Sequence, residues 1–76
     1  LQASGAIKIM PNPSTDQFTL LLIESSTVYI SAADGRLIET FSEVTSLNFG
    51  SDYAKGLYML QITNGSTTQV LRVVKQ

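Results

Sequence analysis

The 76-residue sequence contains no cysteine, no histidine and no tryptophan. Without cysteine it can form neither a disulfide nor a thiolate–metal site, although secreted proteins do not require disulfides, so the compartment stays open. Without histidine it lacks the base of Ser-His and Cys-His nucleophile pairs and the commonest zinc ligand. A hydrolase with paired carboxylates would need two acids in one cleft, whereas most of the six acids fall at predicted turns or outward strand positions. We therefore expect no enzymatic activity, no cofactor and no metal.

Charge is also scarce, with five Lys or Arg against six Asp or Glu and a net charge of −1. Because no basic patch or run is present, we do not expect a nucleic acid partner. The longest apolar runs are far shorter than the roughly 20 residues of a membrane-spanning helix, and nothing resembles a signal peptide. The length allows one domain, which we expect to be the excised end of a longer protein.

Turn residues divide the chain into about seven short stretches in which apolar and polar residues alternate, as they do in β-strands. No window shows a helical apolar period longer than two turns. These features predict an all-β, immunoglobulin-like β-sandwich of about seven antiparallel strands. The predicted strands are residues 7–10, 17–23, 27–32, 37–41, 45–49, 55–63 and 68–75. Residues 1–6, which are small and polar, are predicted to be a linker remnant preceding a domain at 7–76, with any processing site at or before Ala6.

Three short motifs predict ordered turns. Pro11 and Pro13 flank Asn12, and because two prolines fix φ and remove two backbone donors, this segment is predicted to be a non-repetitive turn. Asp34-Gly35 and Asn64-Gly65 are dipeptides typical of tight hairpins, which need positive φ angles. The second hairpin would join the two final strands and close the domain.

The strongest strand signal is residues 55–63, in which both faces are apolar, so we predict a central strand covered on both sides. Gly56, Tyr58 and Leu60 have the spacing of a tyrosine corner, although the acid expected four residues before the tyrosine is Ala54. Gly56 is predicted to be structural, either because of its φ or because its surroundings exclude a Cβ. The residues predicted to be buried alternate within their strands, and they are Phe18, Leu20, Val28, Ile30, Ile38, Leu47, Phe49, Tyr58, Leu60 and Ile62.

Four motifs in register extend this interpretation, namely residues 10–13, 28–38, 55–62 and 72–75. In order and spacing, from Ile7 to Gln76, they resemble the C-terminal sorting domain (type A) of the type IX, or Por, secretion system. The resemblance implies a tag at the end of a passenger protein of a Bacteroidetes-type bacterium. It also implies recognition in the periplasm by the outer-membrane translocon. A sortase-like transpeptidase would then remove the tag at the cell surface, where the passenger is anchored or released.

The resemblance also places the signal in the last two strands. Carried over by position, the recognition residues are Lys55, Gly56, Tyr58, Arg72, Val73, Val74 and Lys75. We expect Arg72 and Lys75 to point outward. The final strand has nothing after it to cover its edge, so a partner strand could join a bare edge there, but the sequence does not show which sheet edge is free. The alternative is a carbohydrate-binding or adhesive sandwich module, which would need exposed aromatic side chains, with Tyr29 and Tyr53 as candidates.

Overall fold

The computed structural model describes residues 7–65 and 67–76, and this part of the chain is all-β. The predicted linker remnant at 1–6 and its processing site lie outside the described residues. The described residues form five strands, β1 (Ile7–Met10), β2 (Phe18–Ala32), β3 (Leu37–Phe49), β4 (Gly56–Asn64) and β5 (Thr67–Lys75).

The strands form one open, curled antiparallel sheet in the order β1-β2-β4-β5, and β3 pairs with the other side of β2. β2 changes its partner along its length. Its first part pairs with β1, where Ile7 lies opposite Leu22, and its second part pairs with β4, where Val28 lies opposite Ile62. β4 therefore lies between β2 and β5, and its prediction as a central strand is confirmed.

The predicted count of seven strands is wrong, because two predicted turns are bends inside continuous strands. The polar residues 24–26 lie within β2, and Ser42-Glu43 lies within β3. The register between these strands shifts between Leu21 and Ser26, and Glu43 has a φ of 50°. Extra residues in one strand of a pair are accommodated as bulges, which bend the strand and increase its twist. The result is a curled sheet, and the immunoglobulin-like sandwich is not observed.

The core fills the concave side of the sheet. Eight of the ten residues predicted to be buried are buried, and Ile38 and Leu47 are partly buried and pack against the same cluster. Val73 of β5 also belongs to the core, although it was predicted only as a recognition residue. The rings of Phe18 and Phe49 stack with their centroids 5.2 Å apart, which places two aromatic side chains at the end of the core near the β3–β4 loop.

The convex side of β4 is more open than predicted. Leu57 is 39% exposed and Met59 is only partly buried, so the second apolar face of this strand lies at the surface. The prediction of a strand covered on both sides is therefore wrong, because one curled sheet has only one concave side to fill.

The Asp34-Gly35 hairpin is confirmed. Gly35 has a φ of 91°, and its N–H donates to the carbonyl of Ala32 at 2.9 Å. The carboxylate of Asp34 accepts a hydrogen bond from the N–H of Arg36 at 3.0 Å, as expected of an Asx-type turn.

The second hairpin turns one residue later than predicted. Gly65 has the expected positive φ, 61°, whereas Asn64 is the last residue of β4 and lies opposite Thr67. The side-chain amide of Asn64 instead donates to a carboxylate oxygen of Glu24 at 2.7 Å. This contact ties the hairpin to the bend in β2.

Candidate recognition site

The segment between β1 and β2 lies against the outer edge of β5. The Nδ2 group of Asn12 donates to the carbonyl of Arg72 at 3.1 Å, and its Oδ1 accepts from the N–H of Val74 at 3.1 Å. One side-chain amide thereby takes the place of a neighbouring strand, because it supplies one donor and one acceptor to the same edge.

Ser14 continues this contact with its backbone. Its N–H donates to the carbonyl of Val74 at 3.0 Å, and its carbonyl accepts from the N–H of Gln76 at 2.8 Å, which makes a parallel bridge. Ser14 is buried, and its hydroxyl donates to the carbonyl of Gln17 and accepts from the N–H of Asp16. We call Asn12 and Ser14 the edge clamp.

The two prolines explain why the edge clamp consists of Asn12 and Ser14, the residues that follow Pro11 and Pro13. Neither proline has an N–H to give to β5, and each fixes its own φ, so Asn12 and Ser14 supply the donors. Both peptide bonds that precede the prolines are cis. The prediction of an ordered, non-repetitive turn is confirmed, and the contact with β5 is new.

The predicted bare edge of the final strand is wrong for its second half. The carbonyl of Arg72, both backbone groups of Val74 and the N–H of Gln76 are hydrogen-bonded to the edge clamp. The cause is the curl of the sheet, which brings the segment after β1 alongside β5. A partner strand could join this part of the edge only by displacing the clamp.

Lys75 does not point outward, which corrects the prediction. Its side chain is only 5% exposed, and its ammonium donates to the carbonyl of Gly50. Lys75 lies two residues after the buried Val73, and side chains two apart share a face of a strand. Arg72 is exposed as predicted. Because the two cations are three positions apart, they could not both have pointed outward.

Gly50, which was predicted only as part of a polar loop, is a structural partner of β5. It is buried with a φ of 91°, and a Cβ there would lie 3.0 Å from Cδ2 of Phe18. Its carbonyl also accepts from the N–H of Tyr53 at 3.1 Å, in addition to the ammonium of Lys75. The loop thus covers the end of the core and satisfies a buried charge, as buried charges require.

Tyr58 forms the predicted tyrosine corner. Its hydroxyl donates to the carbonyl of Ala54 at 2.6 Å, so the upstream acid that is missing here is not needed for the bond. Gly56 has a φ of 150°, and no atom lies within 4 Å of the position of a Cβ. Of the two reasons predicted for Gly56, the unusual φ is therefore confirmed and the exclusion of a Cβ by close packing is wrong.

Tyr53 packs against this corner, and its ring centroid lies 4.8 Å from that of Tyr58 and 6.2 Å from that of Phe49. Its hydroxyl donates to Glu39 at 2.9 Å. Burial first, and then the hydrogen bond to the Glu39 carboxylate, raise the pKa of Tyr53 above its usual value. Tyr29 is partly exposed on β2. Because Tyr53 packs its ring against the core, Tyr29 is the more exposed of the two candidates for the sugar-binding alternative.

The convex side of the β4–β5 hairpin carries three cross-strand pairs. Leu57 lies opposite Val74, Met59 lies opposite Arg72, and Gln61 lies opposite Val70. We call these six residues the hairpin face. Tyr29 of β2 lies opposite Gln61 on the other side, so the apolar character continues toward the middle of the sheet.

The predicted recognition residues fall into two groups. Lys55, Gly56, Arg72 and Val74 are exposed, so they are accessible to a partner. Tyr58, Val73 and Lys75 are buried, so their contribution to any signal must act through the fold. Leu57 and Met59, which lie between members of the first group, were predicted as covered residues and not as contacts. The sequence did carry a signal for their exposure, because Leu57 and Met59 alternate with the buried Tyr58 and therefore lie on the opposite face of β4.

Two further findings bear on the class of protein. Within residues 7–65 and 67–76 there is no helix long and apolar enough to cross a membrane. In the same ranges, no three acidic side chains come together in a way that could hold a metal ion.

Comparison with known proteins identifies the family. No curated protein matches the chain. Residues 8–76 match the family model of the secretion system C-terminal sorting domain, which covers all five strands apart from Ile7. Because the match spans nearly the whole chain, this protein belongs to the C-terminal sorting domain family of the type IX secretion system.

Proposed function

We propose that this domain is a cargo tag that directs a passenger protein, attached upstream, from the periplasm through the type IX outer-membrane translocon. The observation that carries the proposal is the family match over residues 8–76. Membership of the family gives the domain the role of a C-terminal secretion sorting signal that interacts with the type IX machinery and leads to surface display or secretion. The route through the periplasm and the contact with the translocon are the proposed details.

The proposal includes the fate of the tag. A sortase-like transpeptidase at the cell surface cleaves it, and the passenger is anchored there or released. The tag itself has no catalytic role. In the described part of the chain, the edge clamp ties the segment after β1 to β5, so a cut within the sheet would have to break a hydrogen-bonded edge. Processing at or before Ala6 avoids this, because proteases need an extended segment.

The test of export fuses residues 1–76 to a periplasmic reporter protein in a bacterium that has a type IX system. We expect the fusion at the cell surface or in the medium, and the reporter without the tag in the periplasm. A fusion truncated from Leu71 onward should also stay in the periplasm. Because this truncation removes Val73 from the core, we expect it to lose its fold as well. If the unmodified fusion is folded and stays in the periplasm, the proposal is wrong.

Charge reversal separates recognition from folding only at exposed positions. Lys75→Glu would place a carboxylate beside the carbonyl of Gly50 in a buried site, so it would disturb the fold. Arg72 is exposed, and substitutions at such positions usually change stability by under about 0.5 kcal/mol. Arg72 is therefore the position for a charge-reversal test.

The fate of the tag is tested by mass spectrometry of the exported reporter. We expect the mature protein to lack residues 7–76. A surface-anchored reporter that retains Ile7–Gln76 would contradict the cleavage step and leave the export step standing.

A further inference from the structure

The hairpin face is the part of the β4–β5 hairpin that combines exposure with apolar character. Leu57 is 39% exposed, Val74 is 41% exposed and Val70 is 59% exposed. Leu57 and Val74 form a direct cross-strand pair, and Met59 follows on the same face of β4. Exposed apolar residues that occur singly need no explanation, whereas a contiguous group on one face indicates an interaction site.

The charge on this face is of one sign. Arg72 lies opposite Met59, in the middle of the three pairs, and none of the six positions is acidic. The protein as a whole has a net charge of −1, so the positive charge of this face is opposite in sign to that of the whole molecule. An apolar surface with one central cation is complementary to an apolar surface that carries an acidic group.

The edge clamp fixes the backbone beneath this face. Asn12 accepts the N–H of Val74 and donates to the carbonyl of Arg72, while β4 pairs with the other side of β5, so this part of β5 is held at both of its edges. A surface that is already ordered loses less conformational entropy when it binds a partner.

From these three observations we propose that the hairpin face is the contact surface for a protein of the secretion machinery, which presents apolar side chains and an acidic group opposite Arg72. This inference rests on the proposed function, because it names the surface through which the tag is recognised. A protein partner is favoured over a membrane, since anionic membranes are bound through clusters of about four to eight Lys or Arg and this face has one.

The experiment compares two pairs of matched variants in the reporter fusion. Leu57→Glu places a charge in the hairpin face, and Ile23→Glu places the same charge at a residue that is 73% exposed in the bend of β2. Arg72→Glu reverses the central charge, and Lys8→Glu reverses an exposed cation on β1. Thermal unfolding of each purified domain establishes that the variants fold before export is measured.

We expect Leu57→Glu and Arg72→Glu to fold and to lower export at least about tenfold, as expected of substitutions at the centre of an interface. Ile23→Glu and Lys8→Glu should export like the unmodified fusion. Normal export of both hairpin-face variants would overturn the inference and leave the proposed function intact. An equal loss in all four variants would also overturn it, because the effect would not be specific to this face.

Two further results would decide against the proposal for other reasons, namely a failure of the unmodified fusion to be exported and binding of the domain to lipid. If the unmodified fusion is not exported, the proposed function fails, and this inference fails with it. Flotation of the purified domain with vesicles of phosphatidylethanolamine and phosphatidylglycerol tests the membrane. Binding to vesicles that is lost in both Leu57→Glu and Arg72→Glu would show that the face binds lipid, and the protein partner would be wrong.

Discussion

Asn12 is the residue whose removal tests the edge clamp most directly. Asn12→Ala deletes the hydrogen bonds to the carbonyl of Arg72 and from the N–H of Val74. Each such bond contributes about 0.5–1.5 kcal/mol net, and because both are exposed, water replaces part of the loss. We expect the free energy of unfolding to fall by about 1–2 kcal/mol in total. At about 4–8 °C per kcal/mol for a domain of this size, the Tm should fall by about 4–16 °C.

The Asn12→Asp variant separates the two bonds. A carboxylate can still accept the N–H of Val74, but it cannot donate to the carbonyl of Arg72 and it repels that oxygen. We expect a lower Tm than that of the unmodified domain at pH 7. The difference should shrink below pH of about 4, where the protonated acid can donate again.

The control for both variants is Asn48→Ala, which removes an exposed asparagine whose side chain accepts one hydrogen bond, from the hydroxyl of Thr19 at 2.8 Å. Because it removes one exposed hydrogen bond where Asn12→Ala removes two, it should cost about 0.5 kcal/mol, the lower end of the range for a single bond. Thermal unfolding followed by circular dichroism measures all three variants. By the same conversion the control should melt within about 4 °C of the unmodified domain, and if Asn12→Ala also melts within about 4 °C, the clamp does not stabilise β5.

Three further predictions concern the corner at the start of β4. Gly56→Val should destabilise the domain by about 1–3 kcal/mol, and Gly56→Ala should show most of this loss, because the φ of 150° is strained for any side chain while the space beside it is open. Tyr58→Phe should cost about 1–2 kcal/mol, since it leaves the carbonyl of Ala54 without the 2.6 Å bond, and an unchanged urea midpoint would contradict this. The raised pKa of Tyr53, caused by burial and by Glu39, means that its contribution to stability is complete below pH of about 10 and is lost as the pH rises through the pKa of the folded state. Urea unfolding at increasing alkaline pH should therefore show a shallower loss in Tyr53→Phe than in the unmodified domain, and equal slopes would refute it.

The strand content and most of the core were predictable because alternation is a local property. Within β4, Tyr58, Leu60 and Ile62 are buried as the period of two requires. The same period would have placed Lys75 inside with Val73, so the error at Lys75 came from giving its charge more weight than its position in the strand. A lysine can be buried when a carbonyl meets its ammonium, and here the carbonyl belongs to Gly50, 25 residues away.

The length of the strands was not predictable from the same pattern. Residues 24–26 are polar, and polar residues between two apolar stretches are the usual sign of a turn. In the structure the chain does not reverse there, because β3 follows β2 through the bend as an antiparallel partner with a shifted register. Whether a polar tripeptide becomes a turn or a bulge depends on the partner strand, which no local window contains.

The β4–β5 hairpin, to which we assign the recognition signal, cannot be separated from the rest of the fold. An isolated two-stranded hairpin is marginally stable in water, and β4 and β5 have their inner residues, Tyr58 and Val73, in a core that β2 and β3 complete. The outer edge of β5 is held by Asn12, which is 60 positions before Arg72 in the sequence. The hairpin face is therefore a product of the whole sheet. The rest of the sheet holds Leu57, Arg72 and Val74 in one fixed arrangement. If the hairpin face is the recognition surface, a truncation should abolish the fold and the signal together, and only surface substitutions should separate them.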